Sequence, residues 1–198
     1  MTRITRLLGF ITVATLLAAC VTPIPIDNLT YKGTASVRTD KTARIVMTSS
    51  GLGDSNSTYL MPAGGTFIAM TKNSGQSPFD VKDQQEFSQS LRKELVRLGV
   101  VKSATTDADE RTDIVAAVNI DRAVLKSDFV EYTLDITMSI TGGKQPFRQH
   151  YHIVSSEKDS LWTKMNTNGA EAREKLAQLM LERLIPDIEA YASAMTPQ

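Results

Sequence analysis

The sequence has a single cysteine, Cys20, and two histidines among its 198 residues. One cysteine cannot form a disulfide within the chain, and it excludes a cysteine-rich metal centre. Basic and acidic residues balance at 22 each, so the excess of Lys and Arg that marks a nucleic-acid-binding surface is missing. The sequence also lacks G-x-S-x-G, H-E-x-x-H and P-loop motifs. These absences favour a protein that is not an enzyme, binds no metal and binds no nucleic acid.

An apolar segment near the amino terminus, LLGFITVATLLAA (7–19), follows Arg3 and Arg6. It is shorter than the roughly 20 residues that a membrane-spanning helix needs. A basic start, a short apolar centre and small residues before a cut site are the three parts of a secretory signal peptide. We therefore predict that residues 1–19 are a signal peptide.

The end of this segment, Leu17-Ala18-Ala19-Cys20, resembles the lipobox of bacterial lipoproteins. The resemblance implies cleavage between Ala19 and Cys20. It also implies that Cys20 is modified with diacylglycerol and an N-acyl chain, and that the protein has no cofactor. Because Val21 rather than Asp follows the cysteine, it also implies an outer-membrane location facing the periplasm. The alternative is that Cys20 is an ordinary buried cysteine, since free Cys behaves as a small hydrophobe.

The remaining chain is long enough for one domain with its own core. Residues 20–40 begin with the acylated cysteine and contain prolines that disfavour regular helix, so they are predicted to form an extended tether. Residues 41–198 are predicted to form a single periplasmic α+β domain.

Two segments have helical periodicity. In the first, apolar residues recur at helical spacing up to Leu98, with Ser77 as the expected N-cap and Gly99 as the expected terminator. The second closes the chain, and its apolar stripe consists of Leu176, Leu179, Met180, Leu184, Ile188 and Tyr191. Both segments are predicted to be amphipathic helices.

Three consecutive segments between these helices have strand patterns. The middle one, FVEYTLDITMSIT, alternates apolar and polar residues from Val130 to Thr141, which is typical of a strand with one face in water. The strand before it has Ile114, Ala116, Val118, Ile120 and Val124 on one side, and the strand after it has Phe147, Tyr151 and Ile153 in phase. With shorter strands at TARIVMT (42–48), 57–61 and 64–71, the pattern predicts an antiparallel sheet. It contains a three-stranded meander, and both helices pack on one face.

The order of these elements resembles two groups of outer-membrane lipoproteins, the YajG-like lipoproteins and the transport-auxiliary lipoproteins of lipid-trafficking ABC systems. The resemblance is carried by the Cys20 lipobox, the helix FSQSLRKELVRLGV, the strand TDIVAAVNIDRAVL and the C-terminal helix. It implies a non-enzymatic accessory subunit of an envelope transport or assembly system, with protein partners in the envelope. Two alternatives stay open: a module that binds a lipid or other amphiphile, and an oligomeric ring component of a secretion pore.

Candidate contact residues are few. Leu161 and Trp162 lie in a polar connection and could contact a partner, although such a Trp more often covers the edge of a core. The segment 49–58 is a second candidate surface. His150 and His152 lie two residues apart on one strand and could contribute two metal ligands, but a solvated strand face is the favoured interpretation.

Overall fold

The computed structural model describes residues 25–50, 54–63, 66–73, 79–126, 131–156 and 170–195. The strands are β1 (Thr42–Ser49), β2 (Asp54–Ala63), β3 (Thr66–Asn73), β4 (Ser103–Thr105), β5 (Ile114–Lys126), β6 (Glu131–Thr141) and β7 (Phe147–Ser156). The helices are α1 (Val81–Arg97) and α2 (Ala170–Ala194), preceded by a single 3-10 turn at Ile26–Asn28. The fold is α+β. Within the described residues, neither helix is apolar enough over a sufficient length to cross a membrane.

Five strands form the main sheet in the order β4-β1-β5-β6-β7. The hairpin of β2 and β3 joins this sheet beyond the end of β1, where Asp54 and Ser55 pair with Val124 and Leu125 of β5. Strands β5, β6 and β7 run antiparallel in chain order, but they are one part of the larger sheet and not a separate meander.

The prediction of a wholly antiparallel sheet is wrong, because β1 is parallel to both of its neighbours, β4 and β5. The chain passes through α1 between β1 and β4, and a crossover of this kind returns the chain in its original direction. Strand β4 lies in the segment 100–112, between α1 and β5, where the sequence analysis predicted no strand. The sheet is therefore mixed.

The core lies between the sheet and the two helices. Helix α1 packs against β1 and β4, and α2 packs against β6 and β7. The alternation predicted for β6 is confirmed, since Leu134, Ile136, Met138 and Ile140 are all fully buried. The predicted stripe of α2 is buried as well, with Leu179 and Tyr191 at its margin.

A β-bulge corrects the pattern predicted for β5. Ile120 pairs with Ile136, but the next paired residue is Arg122, opposite Asp135, so Asp121 is an extra residue. The bulge shifts the alternation by one, and Ala123 rather than Val124 is buried.

Helix α1 begins later than predicted. Its N-cap is Asp80, whose side chain accepts from the Asp83 backbone N–H at 2.9 Å, while the Asp83 side chain accepts from the Asp80 N–H at 3.1 Å. This reciprocal capping box satisfies two backbone amides at the start of the helix. The predicted N-cap, Ser77, lies outside the described residues, and the N-cap is Asp80. The predicted terminator is confirmed, because Gly99 has a φ of 75°.

Candidate functional site

The outer face of the sheet, opposite the helices, has a row of bonded polar side chains that we call the polar ladder: Thr48, Asn119, Asp121, Thr137 and His150. Thr48 donates to the Asn119 side-chain oxygen at 2.9 Å, and the Asn119 amide donates to Asp121 at 2.7 Å. Thr137 donates to Asp121 at 2.6 Å and lies 3.2 Å from Nδ1 of His150. The ladder crosses four strands, from β1 to β7.

The bulge in β5 brings Asp121 into this ladder. Because two residues of β5 oppose one residue of β6 there, Asp121 and Arg122 both lie on the outer side, with Asp121 partly exposed and Arg122 exposed. From that position the Asp121 carboxylate accepts hydrogen bonds from Asn119, two residues earlier on β5, and from Thr137 on the neighbouring strand β6. The bulge therefore makes one side chain the centre of the ladder.

The two histidines predicted on this face are placed there, and each lies beside a different carboxylate. Nδ1 of His152 is 2.6 Å from Asp135, and Nδ1 of His150 is 3.5 Å from Asp121. Both histidine side chains are about 60 % exposed (59 % and 62 %), so such pairs contribute little to stability. No cluster of three or more metal-ligating residues occurs in the part of the chain that the structure describes.

Residues 25–40, which we call the strap, run across both helices before β1 begins. Ile26 and Leu29 are buried in the core cluster. The carbonyl oxygen of Ile26 accepts from the Ser90 hydroxyl of α1, and that of Thr30 accepts from Gln178 of α2 at 3.1 Å. Most of the segment predicted as an extended tether, 20–40, is thus packed against the domain.

Two glutamates hold the strap. Glu94 of α1, which is buried, accepts the backbone N–H of Tyr31 at 2.7 Å. Glu189 of α2 accepts the N–H and the hydroxyl of Ser36 at 2.5 and 2.7 Å, and the N–H of Val37 at 2.9 Å. Partial burial disfavours the charged form of Glu189, but these three hydrogen bonds outweigh it and hold its pKa below the usual value.

A cleft of about 700 Å³ lies between the β6–β7 turn and the end of α2. Its lining includes Phe147, Tyr191 and Met195, which make its walls largely apolar. The Tyr191 hydroxyl accepts the backbone N–H of Gly143 at 2.8 Å and fixes the turn against the helix. One helical turn before Tyr191, Asp187 of α2 accepts from the Tyr151 hydroxyl of β7, and burial together with that carboxylate raises the Tyr151 pKa.

A second, more open groove of about 600 Å³ lies on the outer face of α1, between the helix and the edge strand β4. Its lining residues are Gln89, Arg92, Lys93, Val96, Arg97 and Ala104. Three of these six are basic, which gives the groove a positive character.

The predicted cleavage and lipidation residues, Ala19 and Cys20, and the candidate contact residues, Leu161 and Trp162, lie outside the described residues. Residues 51–53 of the candidate segment 49–58 also lie outside, and 54–58 begin strand β2. Sequence reasoning missed the central position of Asp121 and the role of Glu189. The adjacent polar pair Asp121-Arg122, which interrupts the apolar alternation of β5, is the signal that could have revealed the bulge.

No family model matches this chain, and no curated protein matches it significantly. Among solved structures, the chain is similar to protein XCC0632 of Xanthomonas campestris, of the DUF330 family, with a TM-score of 0.55 and 11 % identity. The match covers 87 % of this chain and 98 % of that one, and at this identity it shows the fold alone.

Two further structures are more distant. One is described as a lipoprotein of Caulobacter crescentus, with a TM-score of 0.33, 10 % identity and coverage of 57 % of this chain and 87 % of that one. The other is lipoprotein B of Nitrosomonas europaea, with a TM-score of 0.36, 10 % identity and coverage of 84 % and 94 %. Likenesses of this size bear on neither the fold nor the function of this chain.

Proposed function

We propose that this protein is a lipoprotein attached to the outer membrane through acylated Cys20, with its domain facing the periplasm. In this proposal it acts as a non-enzymatic accessory subunit of an envelope transport or assembly system. The observation that carries the proposal is the lipobox Leu17-Ala18-Ala19-Cys20, which ends five residues before the strap begins at Pro25. The chain between lipid and fold is then too short to extend far, so the domain works beside a bilayer.

The polar ladder supports the accessory role. The outer face of the sheet, which neither the strap nor the helices cover, offers donors, acceptors and the exposed Val154 across four strands. An interface of ordinary size combines such polar groups with a few apolar anchors. We propose that an envelope protein binds on this face.

Mass measurement of the native protein tests the anchor. We expect the mass of a chain that begins at Cys20 and has three acyl chains, and we expect Cys20→Ser to accumulate with residues 1–19 attached. A native chain with a free thiol would refute the lipoprotein proposal.

Crosslinking in intact cells tests the partner. A photoreactive residue at His152, on the outer sheet face, is expected to form an adduct with an envelope protein, and one at Trp162 tests the sequence-based alternative. The same residue at Gln89, on α1, is the matched control. An adduct pattern that is equal at His152 and Gln89 would contradict a partner on the sheet.

The apolar cleft favours a second candidate function, the binding of a lipid or other amphiphile. Its volume of about 700 Å³ lies in the range of small-molecule sites. Protein extracted in mild detergent would then retain one lipid per chain, apart from the chains on Cys20, in native mass spectra. Phe147→Glu should abolish this retention, whereas Val154→Glu on the exposed side of the same strand should not.

A further inference from the structure

We infer that the outer face of α1 docks on an anionic lipid surface, with Arg92 and Lys93 as the residues that contact the headgroups. This inference rests on the proposed acylation of Cys20. It adds an orientation of the domain and a class of lipid that the anchor alone does not specify.

The first step is a limit on distance. Six residue steps separate Cys20 from Ile26, the first buried residue of the strap, and a fully extended chain covers at most about 3.6 Å per step, or about 22 Å. A domain of this size is about 40 Å across. The surface around Ile26 must therefore lie near the bilayer, whatever path residues 21–24 take.

The second step identifies that surface. The carbonyl of Ile26 accepts from Ser90, and the carbonyl of Asp27 accepts from the Lys93 ammonium at 2.9 Å. The start of the strap thus lies directly beside α1. The polar ladder lies on the other side of the sheet, so the short tether favours α1 and not the ladder at the membrane.

The third step is charge. Arg92 donates to the Ala104 carbonyl at 3.1 Å, and Lys93 donates to the Asp27 carbonyl. Both acceptors are neutral, so these hydrogen bonds do not compensate the two positive charges. The other two basic residues of α1 each form an ion pair with a glutamate. Lys82 lies 3.4 Å from Glu86, and Arg97 lies 2.7 Å from Glu94. The free positive charge of the helix is therefore concentrated beside the start of the strap.

The groove between α1 and β4 completes the surface. It is about 600 Å³, it lies open on the outside of the helix, and the exposed Val96 forms part of its wall beside the two cations. A phosphate headgroup accepts hydrogen bonds from guanidinium and ammonium groups, and the adjacent apolar side chain suits the headgroup and acyl boundary. An anionic bilayer supplies both chemistries at the distance that the tether allows.

The test uses the acylated full-length protein in nanodiscs made with either phosphatidylglycerol or phosphatidylcholine. A fluorophore is attached to Gln89→Cys on α1 or, as the matched position, to Arg148→Cys on the outer sheet face, since the thiol of Cys20 is blocked by lipid. Headgroup-labelled quencher lipids report proximity. We expect strong quenching at position 89 in phosphatidylglycerol discs, weaker quenching there in phosphatidylcholine discs, and little quenching at position 148.

Charge removal is the second arm. Arg92→Gln with Lys93→Gln should reduce the equilibrium constant between docked and undocked states about five-fold for each cation in phosphatidylglycerol discs. The matched control, Lys144→Gln with Arg148→Gln, removes the same charge elsewhere and should leave quenching at position 89 unchanged. Equal quenching at both label positions would overturn the inference. So would quenching at position 89 that changes neither with lipid charge nor with the double substitution.

The mass of the intact protein separates this inference from the proposed function. An acylated protein with no preferred face overturns the docking surface and leaves the lipoprotein proposal in place. A protein without acyl chains overturns both, because the limit on distance then disappears.

Discussion

The carboxylate of Glu94 accepts the backbone N–H of Tyr31 at 2.7 Å, although 63 positions separate the two residues in the chain. Glu94 is only 4 % exposed, and it also pairs with Arg97 at 2.7 Å. One buried carboxylate therefore joins the strap to α1 and receives a charged donor on the same helix.

Glu94→Ala should lower the free energy of unfolding by about 2–3 kcal/mol, because the Tyr31 amide and the Arg97 guanidinium both lose a charged partner. Glu86→Ala is the matched control on the same helix. It removes only the pair with the exposed Lys82 and should cost at most about 0.5 kcal/mol. Urea unfolding followed by circular dichroism measures both values. Equal losses would show that Glu94 does not hold the strap.

The contribution of Glu189 should depend on pH. Because its pKa is lower in the folded protein than in the unfolded chain, the ionised carboxylate stabilises the fold fully above the unfolded pKa. This contribution is lost as pH falls through the folded pKa. The stability difference between the wild type and Glu189→Gln should be constant above about pH 5 and should shrink below about pH 4. A difference that grows on acidification would contradict this assignment.

Gly142 should not tolerate a side chain. Its φ of 121° disfavours L-residues, and an added Cβ would lie 1.9 Å from the carbonyl oxygen of Asp113. Gly142→Ala should therefore cost about 2–3 kcal/mol. Gly143→Ala is the control in the same turn, where the atom nearest to the added Cβ would be the Tyr191 hydroxyl at 3.0 Å, a side-chain atom and not backbone. It should cost less, and thermal unfolding of the two variants decides the order.

Deletion of Asp121 should be better tolerated than deletion of a residue in the regular part of β5. Removing the extra residue leaves Ile120 opposite Ile136 and Arg122 opposite Asp135, so the inward and outward faces are kept. Deleting Ala117 instead turns part of the buried face outward. We expect the Asp121 deletion to fold with a loss of about 1–2 kcal/mol from the broken ladder bonds. Deletion of Ala117 should abolish cooperative unfolding.

The sequence predicted well what short-range periodicity determines. The alternation of apolar and polar residues in β6 and the apolar stripe of α2 follow from the burial of hydrophobic side chains. Both could therefore be predicted from the sequence. The role of Gly99 as the terminator of α1 could also be predicted, because few other residues adopt its positive φ. The N-cap of α1 is Asp80 rather than the predicted Ser77, and its reciprocal bonds with Asp83 satisfy two backbone amides.

Longer-range features could not be predicted in the same way. The parallel pairing of β1 depends on the path of the chain through α1 and not on the composition of β1 itself. The polar ladder depends on strand register and on one inserted residue, Asp121. The strap has no periodicity at all, because its contacts are backbone groups that meet side chains far away in the chain, such as Glu94 and Glu189.

The strap also determines how mechanical load would enter the fold. If the lipid end is held and the domain is pulled away, force reaches Ile26 and the strap bonds before it reaches the sheet at Thr42. Breaking those bonds would expose Ile26 and Leu29, while the sheet and the two helices would keep their contacts with each other. Peeling off residues 26–40 would lengthen the free chain by about 50 Å. In an acylated protein the same segment would let the tether lengthen under tension, from a short reach at rest to a long one.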